Sequence, residues 1–263
     1  MQTSVFYHQK MFSILLEIKK QTMRILSTLI VSLVAFTSCE NATPKKTAPV
    51  AEEKAETWVN LIDQNSMKGW HYYQTDPNKK GWSIADGVLT FDSSKAEGEG
   101  DKSLLTDKQY KNFEIYFEWK VSEQSNSGFM WGVNEDEKYE FPYNTGPEIQ
   151  LLDPEVYKGD EANQIHTAGA LYDLQAPSSL VTKPAGEWNS YNITIDQDNN
   201  LGVVIHNGVE INRFPLRGEA WDAMVANSKF ATWEGYGKYQ KGHLCIQDHP
   251  GVISYRNMKI REF

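Results

Sequence analysis

Between Phe113 and Val121 the chain alternates without a break. Phe113, Ile115, Phe117, Trp119 and Val121 are apolar, and Glu114, Tyr116, Glu118 and Lys120 separate them. A period of two sends the five apolar side chains to one face of an extended strand and the four others to the opposite face. Such a segment has to pack one face of a sheet on a core and leave the other wet. Its surroundings carry the same pattern. Trp82-Ser83-Ile84 and Val88-Leu89-Thr90-Phe91 flank Asp86-Gly87, and Leu201–Ile205 and Val209-Glu210-Ile211 flank Asn207-Gly208. Both dipeptides are two-residue hairpin turns. Further strands are expected at Tyr191–Ile195, Gly242–Gln247 and Val252–Arg261. Only Gly218–Phe230 has a helical stripe, with Trp221, Met224 and Val225 three and four apart. The expectation is one all-β domain, a sandwich or barrel of antiparallel strands with one short helix.

That domain occupies 57–263, and what precedes it is of another kind. Residues 25–36 read ILSTLIVSLVAF, uncharged, with Arg24 before them and Thr37-Ser38-Cys39 after. A basic start, a short apolar run and small residues before a cleavage point make a secretory signal. The run is shorter than the ~20 residues a bilayer-spanning helix needs. Residues 1–39 thus read as a signal peptide with a true start at Met23. They end in a segment resembling a lipobox, with Cys39 as the residue to be lipidated and Phe36 where leucine is more usual. From 40 to 56 the chain is ENATPKKTAPVAEEKAE, a flexible tether with nothing to bury. The expected location is the bacterial cell envelope, periplasmic or surface-facing, with membrane contact through the lipid anchor alone. Cys245, the second of two cysteines, lies in the apolar run Leu244-Cys245-Ile246 and is expected to be buried. The net charge of −9, without a basic cluster beyond Lys45-Lys46, argues against nucleic acid. Eight Trp, thirteen Tyr and eleven Phe suit stacking on sugar rings, but equally a β-sandwich core.

Candidate chemistry gathers in four segments. In Gly146-Pro147-Glu148-Ile149-Gln150-Leu151-Leu152-Asp153, Glu148 and Gln150 leave one face of a strand while Ile149 and Leu151 enter the core. Sandwich-fold glucanases place carboxylates at the first, third and sixth positions of a related strand. Here the third is Gln150 and the sixth Asp153, which weakens a two-carboxylate glycosidase reading. His166–Asp173 offers a proton-shuttling histidine and Tyr172 in a small-residue strand. Gln247-Asp248-His249, followed by Tyr255-Arg256-Asn257, sets Asp248 and His249 side by side at a strand end, where they face different directions unless the backbone turns. Asp248 could also bind a divalent cation there. Asn126-Ser127-Gly128-Phe129-Met130-Trp131 could supply two hydroxyl partners and a stacking ring, with Trp131 as core the simpler alternative. Lys183 lies in a loop before Gly186-Glu187-Trp188. Gly-rich nucleotide loops, zinc-protease helices and serine elbows are missing.

Taken in order, GWSIADGVLTFD, LLTDKQYKNFEIYFEWKV, NSGFMWG, GPEIQLLD, TAGALYD, KPAGEWNSYNI, HNGVEI, SKF, GHLCIQDH and YRNMKIREF resemble the 3-keto-disaccharide hydrolase family across the whole mature domain. The resemblance implies a concanavalin A-like jelly-roll sandwich of two antiparallel sheets. It also implies cleavage of glycosides already oxidised to a ketone at carbon 3. The ketone acidifies the C2 hydrogen, so a base can open the way to expulsion of the C1 substituent, with or without later hydration. Such a site needs a base, a stabiliser for the enolate oxygen and an acid for the leaving oxygen. On this reading Glu148 or His166 is the base and His249 or Tyr172 assists departure. Lys183, Gln150 or a cation holds the oxyanion, while Asn126, Ser127, Trp131, Asp153, Asp248 and Arg256 bind substrate. The family usually has glycine directly after Gln-Asp-His; here Pro250 intervenes before Gly251 and stiffens that loop. The insertion Glu137–Thr145, with Tyr139, Phe141 and Tyr143, is expected to shape substrate choice. The rival reading is a non-catalytic carbohydrate-binding sandwich, since fold does not fix function.

Overall fold

A computed structural model describes residues 57–76 and 78–263. The apolar run at 25–36, Cys39 and the tether at 40–56 lie outside the described residues. Among the described residues thirteen strands form two antiparallel sheets. The larger holds β1 (Val59–Asn60), β3 (Trp82–Ala85), β4 (Val88–Asp92), β6 (Phe113–Val121), β9 (Asn189–Asp196), β10 (Leu201–His206), β11 (Val209–Phe214) and β13 (Val252–Glu262). Its order is β11-β10-β9-β6-β13-β4-β3, with β1 also paired to β13. The smaller holds β2 (Trp70–Tyr72), β5 (Leu104–Tyr110), β7 (Asn126–Val133), β8 (Glu148–Leu152) and β12 (Gly242–Ile246), in the order β2-β5-β12-β7-β8. The expected class, an all-β sandwich of two antiparallel sheets, is the observed one.

The alternation that organises the sequence organises the core. Along β6 every odd residue from Phe113 to Val121 is buried and every even one half-exposed. Phe117 reaches across the sandwich to Phe129 of β7, ring centroids 5.5 Å apart, and along its own sheet to Tyr191 and Tyr255. Each such large apolar side chain contributes roughly 1.5–3 kcal/mol by leaving water. Both expected hairpins form. Asp86 and Gly87, and Asn207 and Gly208, all have positive φ, the backbone a two-residue turn of this twist requires.

The helical stripe yields α1 at Glu219–Ala226, shorter than the 218–230 expected from its apolar spacing. It stops where polar side chains take over the terminal carbonyls. Asn227 Nδ2 donates to Ala223 O at 2.8 Å, and the Ser228 hydroxyl donates to Val225 O at 2.8 Å. Three 3₁₀ turns, at Ser93–Lys95, Pro142–Asn144 and Glu161–His166, join it among the described residues. The small-residue stretch after His166 is not a strand. It runs beside β8 through one bridge, Ile149 to Leu171, with Gly169 N and Tyr172 N donating to Gln150 O and Glu148 O.

Both faces of the smaller sheet are covered. Phe129, Ile149, Leu151 and Ile246 point into the main core. On the outer face Leu105, Met130 and Cys245 pack with Tyr73 and Val133, and Tyr143 lies against them. The pairing Met130↔Glu148 places Glu148 on that outer face, beneath loops rather than open water.

Candidate active site

Glu148 begins β8 and Gln150 follows two residues on, so the pleat aims both away from the main core. Gly128 of β7 pairs with Gln150, and the Glu148 side chain lies across it. A Cβ on Gly128 would overlap the Glu148 carboxylate and come within 2.6 Å of its Cγ. The glycine of Asn-Ser-Gly is therefore there for close approach, not for turning. The Glu148 carboxyl is buried, and burial pushes its pKa up to about 8; the Lys229 ammonium pulls against that rise.

Around it is a cavity of about 100 Å³. Asn126, Gln150 and His249 give it a polar wall; Tyr143, Tyr172 and Phe230 give it aromatic ones. Three buried polar atoms of this wall have no hydrogen-bond partner: Asn126 Oδ1, Gln150 Oε1 and His249 Nδ1. Buried polar groups left unpaired cost about 1–3 kcal/mol each, so this polar wall is kept at the expense of stability. Burial lowers the His249 pKa and keeps the imidazole neutral near pH 7. Burial and the Glu148 charge push Tyr172 up to about 12, leaving its hydroxyl a donor.

Lys229 closes the set. Its Nζ stands 4.2 Å from the Tyr172 ring centroid. Its backbone N–H donates to Asp173 Oδ2 at 2.8 Å, while His166 Nε2 is bonded to Asp173 Oδ1 at 2.8 Å. Asp173 thus ties the 3₁₀ turn of His166 to the Lys229 turn. His166 itself does not line the cavity. Its Nδ1 is held by Asn163 Oδ1 at 3.2 Å, so both ring nitrogens are engaged, and the ring packs 4.9 Å from that of Tyr172. It positions neighbours rather than meeting a ligand.

Several expected ligand-binding residues lie elsewhere, for reasons of parity and pairing. From Asn126 to Trp131 of β7 even positions face the cavity side and odd positions face the core. Asn126 therefore reaches the site, whereas Trp131 stacks on Phe214 at 5.9 Å inside the sandwich. Ser127 is fully buried beside Tyr255 Oη at 2.9 Å, its hydroxyl donating to Gln247 O. Asp153 follows the end of β8, where the pleat no longer holds, and accepts from Gln124 N at 2.8 Å. Asp248 parts from His249 and accepts from the Ser103 hydroxyl at 3.0 Å. Nearby Asp101 has its pKa pushed up to about 7 by burial and the Asp248 charge. Arg256 pairs with Glu118 at 2.6 Å, on the outer face of the larger sheet and so across the sandwich from the cavity, and covers Trp188. Lys183 donates to Trp188 O at 2.9 Å in the same neighbourhood.

Lys229, Phe230, Gln247 and Tyr143 line the cavity without having been singled out as ligand-binding residues in the sequence. All four stand in segments the sequence does mark: Ser-Lys-Phe, Gln-Asp-His and the 137–145 insertion. Among the described residues no three His, Cys, Asp or Glu side chains come together as metal ligands. The nearby positive charge is that of Lys229.

Residues 57–261 match the model of the 3-keto-alpha-glucoside-1,2-lyase-like domain. The chain belongs to this family. It is 28% identical over 235 residues to a 3-keto-disaccharide hydrolase of Bacteroides thetaiotaomicron, covering 79% of each chain. Two crystal structures from Parabacteroides distasonis, provisionally described as glycosyl hydrolases, share the fold. One is 30% identical with a TM-score of 0.71, over 82% of this chain and 98% of that one. The other is 26% identical with a TM-score of 0.58, over 79% and 100%. The Glu148 cavity holds one carboxyl, with the amide of Gln150 two positions along the same strand face.

Proposed function

We propose that the protein cleaves glycosides carrying a ketone at C3, by elimination of the C1 substituent at the Glu148 cavity. The observation that carries this reading is the buried, lone Glu148 carboxyl with its pKa near 8 beside the Lys229 ammonium. A two-carboxylate hydrolysis lacks its second group there, whereas proton abstraction next to a ketone needs only one base.

The ionised Glu148 takes the C2 proton. The electron pair of that C–H bond forms a C2–C3 double bond, and the ketone oxygen becomes an enolate that Lys229 stabilises. As the carbonyl re-forms, the pair moves to C1–C2 and the C1–O bond breaks. The leaving oxygen collects a proton from Tyr172 or from the newly protonated Glu148. Water added across the resulting C1–C2 double bond would give the hydrolysis product; without it the enone leaves. Asn126, Gln150 and neutral His249 meet the sugar hydroxyls. Support also comes from the named activity of the Bacteroides thetaiotaomicron relative. The apolar run before Cys39 supports the further proposal of an exported, lipid-anchored protein, for which Cys39→Ser should release the chain from the membrane fraction.

The test is release of the aglycone from a 3-keto-glucoside and from its unoxidised parent. Release from the keto compound alone, abolished by Glu148→Gln but kept at reduced rate by Tyr172→Phe, is expected. Equal release from both compounds would sink the elimination. Binding of both without release would leave a carbohydrate-binding module.

A further inference from the structure

We propose that the groove beside the Glu148 cavity, walled by Phe141, Tyr143 and Trp233, binds the leaving group and selects substrates whose C1 substituent is a ring with a flat face. The inference rests on the elimination reading above and adds the substrate class to it.

Size makes the first argument. The inner cavity, about 100 Å³, is well below the ~300 Å³ at which ligand pockets usually begin, so it cannot hold two linked rings. The neighbouring groove measures about 470 Å³. Tyr143 lines both, so the two spaces meet at that residue. A substrate whose C2 reaches Glu148 must leave its C1 substituent outside the inner cavity, and the groove is the large space that shares a wall residue, Tyr143, with it.

Shape and rigidity make the second. Phe141 and Tyr143 stack at 4.9 Å with planes 10° apart, and Trp233 stands 6.0 Å from Tyr143. Trp233 packs edge-on against Phe230 of the inner wall at 5.0 Å, and Phe230 lies flat on Tyr236 at 3.9 Å. Tyr236 in turn stacks on the buried Trp221 of α1. The groove wall is thus braced to a helix through a continuous run of rings. Phe141, Tyr143 and Trp233 remain only half-buried, leaving ring surface for a ligand. Flat aromatic faces of this kind meet the C–H faces of a sugar or the ring of an aromatic aglycone. Glu140, Asn144 and Glu234 at the rim supply hydrogen-bond partners that a sugar would use and a phenyl group would not.

Steady-state kinetics on methyl, phenyl and glucosyl 3-keto-glucosides test this when wild type and variant are compared on each, because the differing acidities of the three leaving groups then cancel. The wild-type protein is expected to favour the two ring substituents over methyl. In Trp233→Ala the ratio of kcat/KM for phenyl over methyl is expected to fall about tenfold, chiefly through KM, with Trp233→Phe recovering most of it. A larger loss on glucosyl than on phenyl in Trp233→Ala would assign the groove to a sugar, and the reverse to an aromatic aglycone. Turnover of all three by the wild type with equal efficiency, or a Trp233→Ala ratio equal to wild type, would overturn the subsite while leaving the elimination intact. No turnover of any of the three would overturn the elimination and the subsite together.

Discussion

At the scale of single residues, Glu148 concentrates the conflict between stability and chemistry. Its ordinary value is 4.5 and the folded value about 8, because burial disfavours the charged form. Between those values the folded chain holds a proton that the unfolded chain has lost. Stability therefore falls as pH rises from about 4.5 to 8 and loses nothing further above that, at a total cost of roughly 3–5 kcal/mol. Asp101, pushed up to about 7, acts with the same sign up to its own folded value. Glu148→Gln removes the first penalty, so its Tm should exceed wild type by roughly 6–20 °C at pH 8.5 and match it near pH 4.5. A gap equal at both pH values would show that the carboxyl is not buried alone. The same group acting as base makes kcat/KM rise with pH and level off above about 8.

Among elements, β7 and β8 form the site as a pair. Neither strand makes it alone: β8 supplies the carboxyl and amide, and β7 supplies Asn126 and the bare surface of Gly128 over which Glu148 lies. Gly128→Ala should displace the carboxylate, cutting kcat at least a hundredfold while costing about 1–3 kcal/mol in stability. Activity near wild type in that variant would mean that Glu148 works from another rotamer. The turn after α1 completes the pair. Asp173 receives both the His166 ring and the Lys229 backbone, so a charge 81 positions along the chain from Glu148 is delivered to its cavity by a loop.

For the whole molecule, the sandwich is held by the interior that the two sheets share, with Phe117 among its fully buried side chains. Phe117→Ala should cost about 3–5 kcal/mol, read as a lower urea midpoint with an unchanged slope. A drop below 1 kcal/mol would mean that the layers are held together elsewhere. The smaller sheet departs from the usual arrangement of one dry and one wet face, since its outer side carries Leu105, Met130 and Cys245 under loop aromatics. That second covered face buries the Glu148 carboxyl and so raises its pKa.

The alternation at 113–121, the Asp-Gly and Asn-Gly turns and the Glu148–Gln150 spacing are local patterns, and local steric rules determined the strands, hairpins and shared face that came from them. The positions of Trp131, Ser127 and Arg256 were not legible in the same way. A strand's period says which residues share a face, but only the pairing of sheets says which face meets the cavity. Asp153 and Asp248 lie beyond strand ends, where no period applies and hydrogen bonds to Gln124 and Ser103 decide direction. Lys229, Tyr143 and Trp233 reach the cavity and groove from loops far apart in the chain, and what placed them was the packing of rings against α1 and the smaller sheet. Secondary structure here is a property of neighbouring residues. The site is a property of contacts that close only when both layers and their loops are assembled.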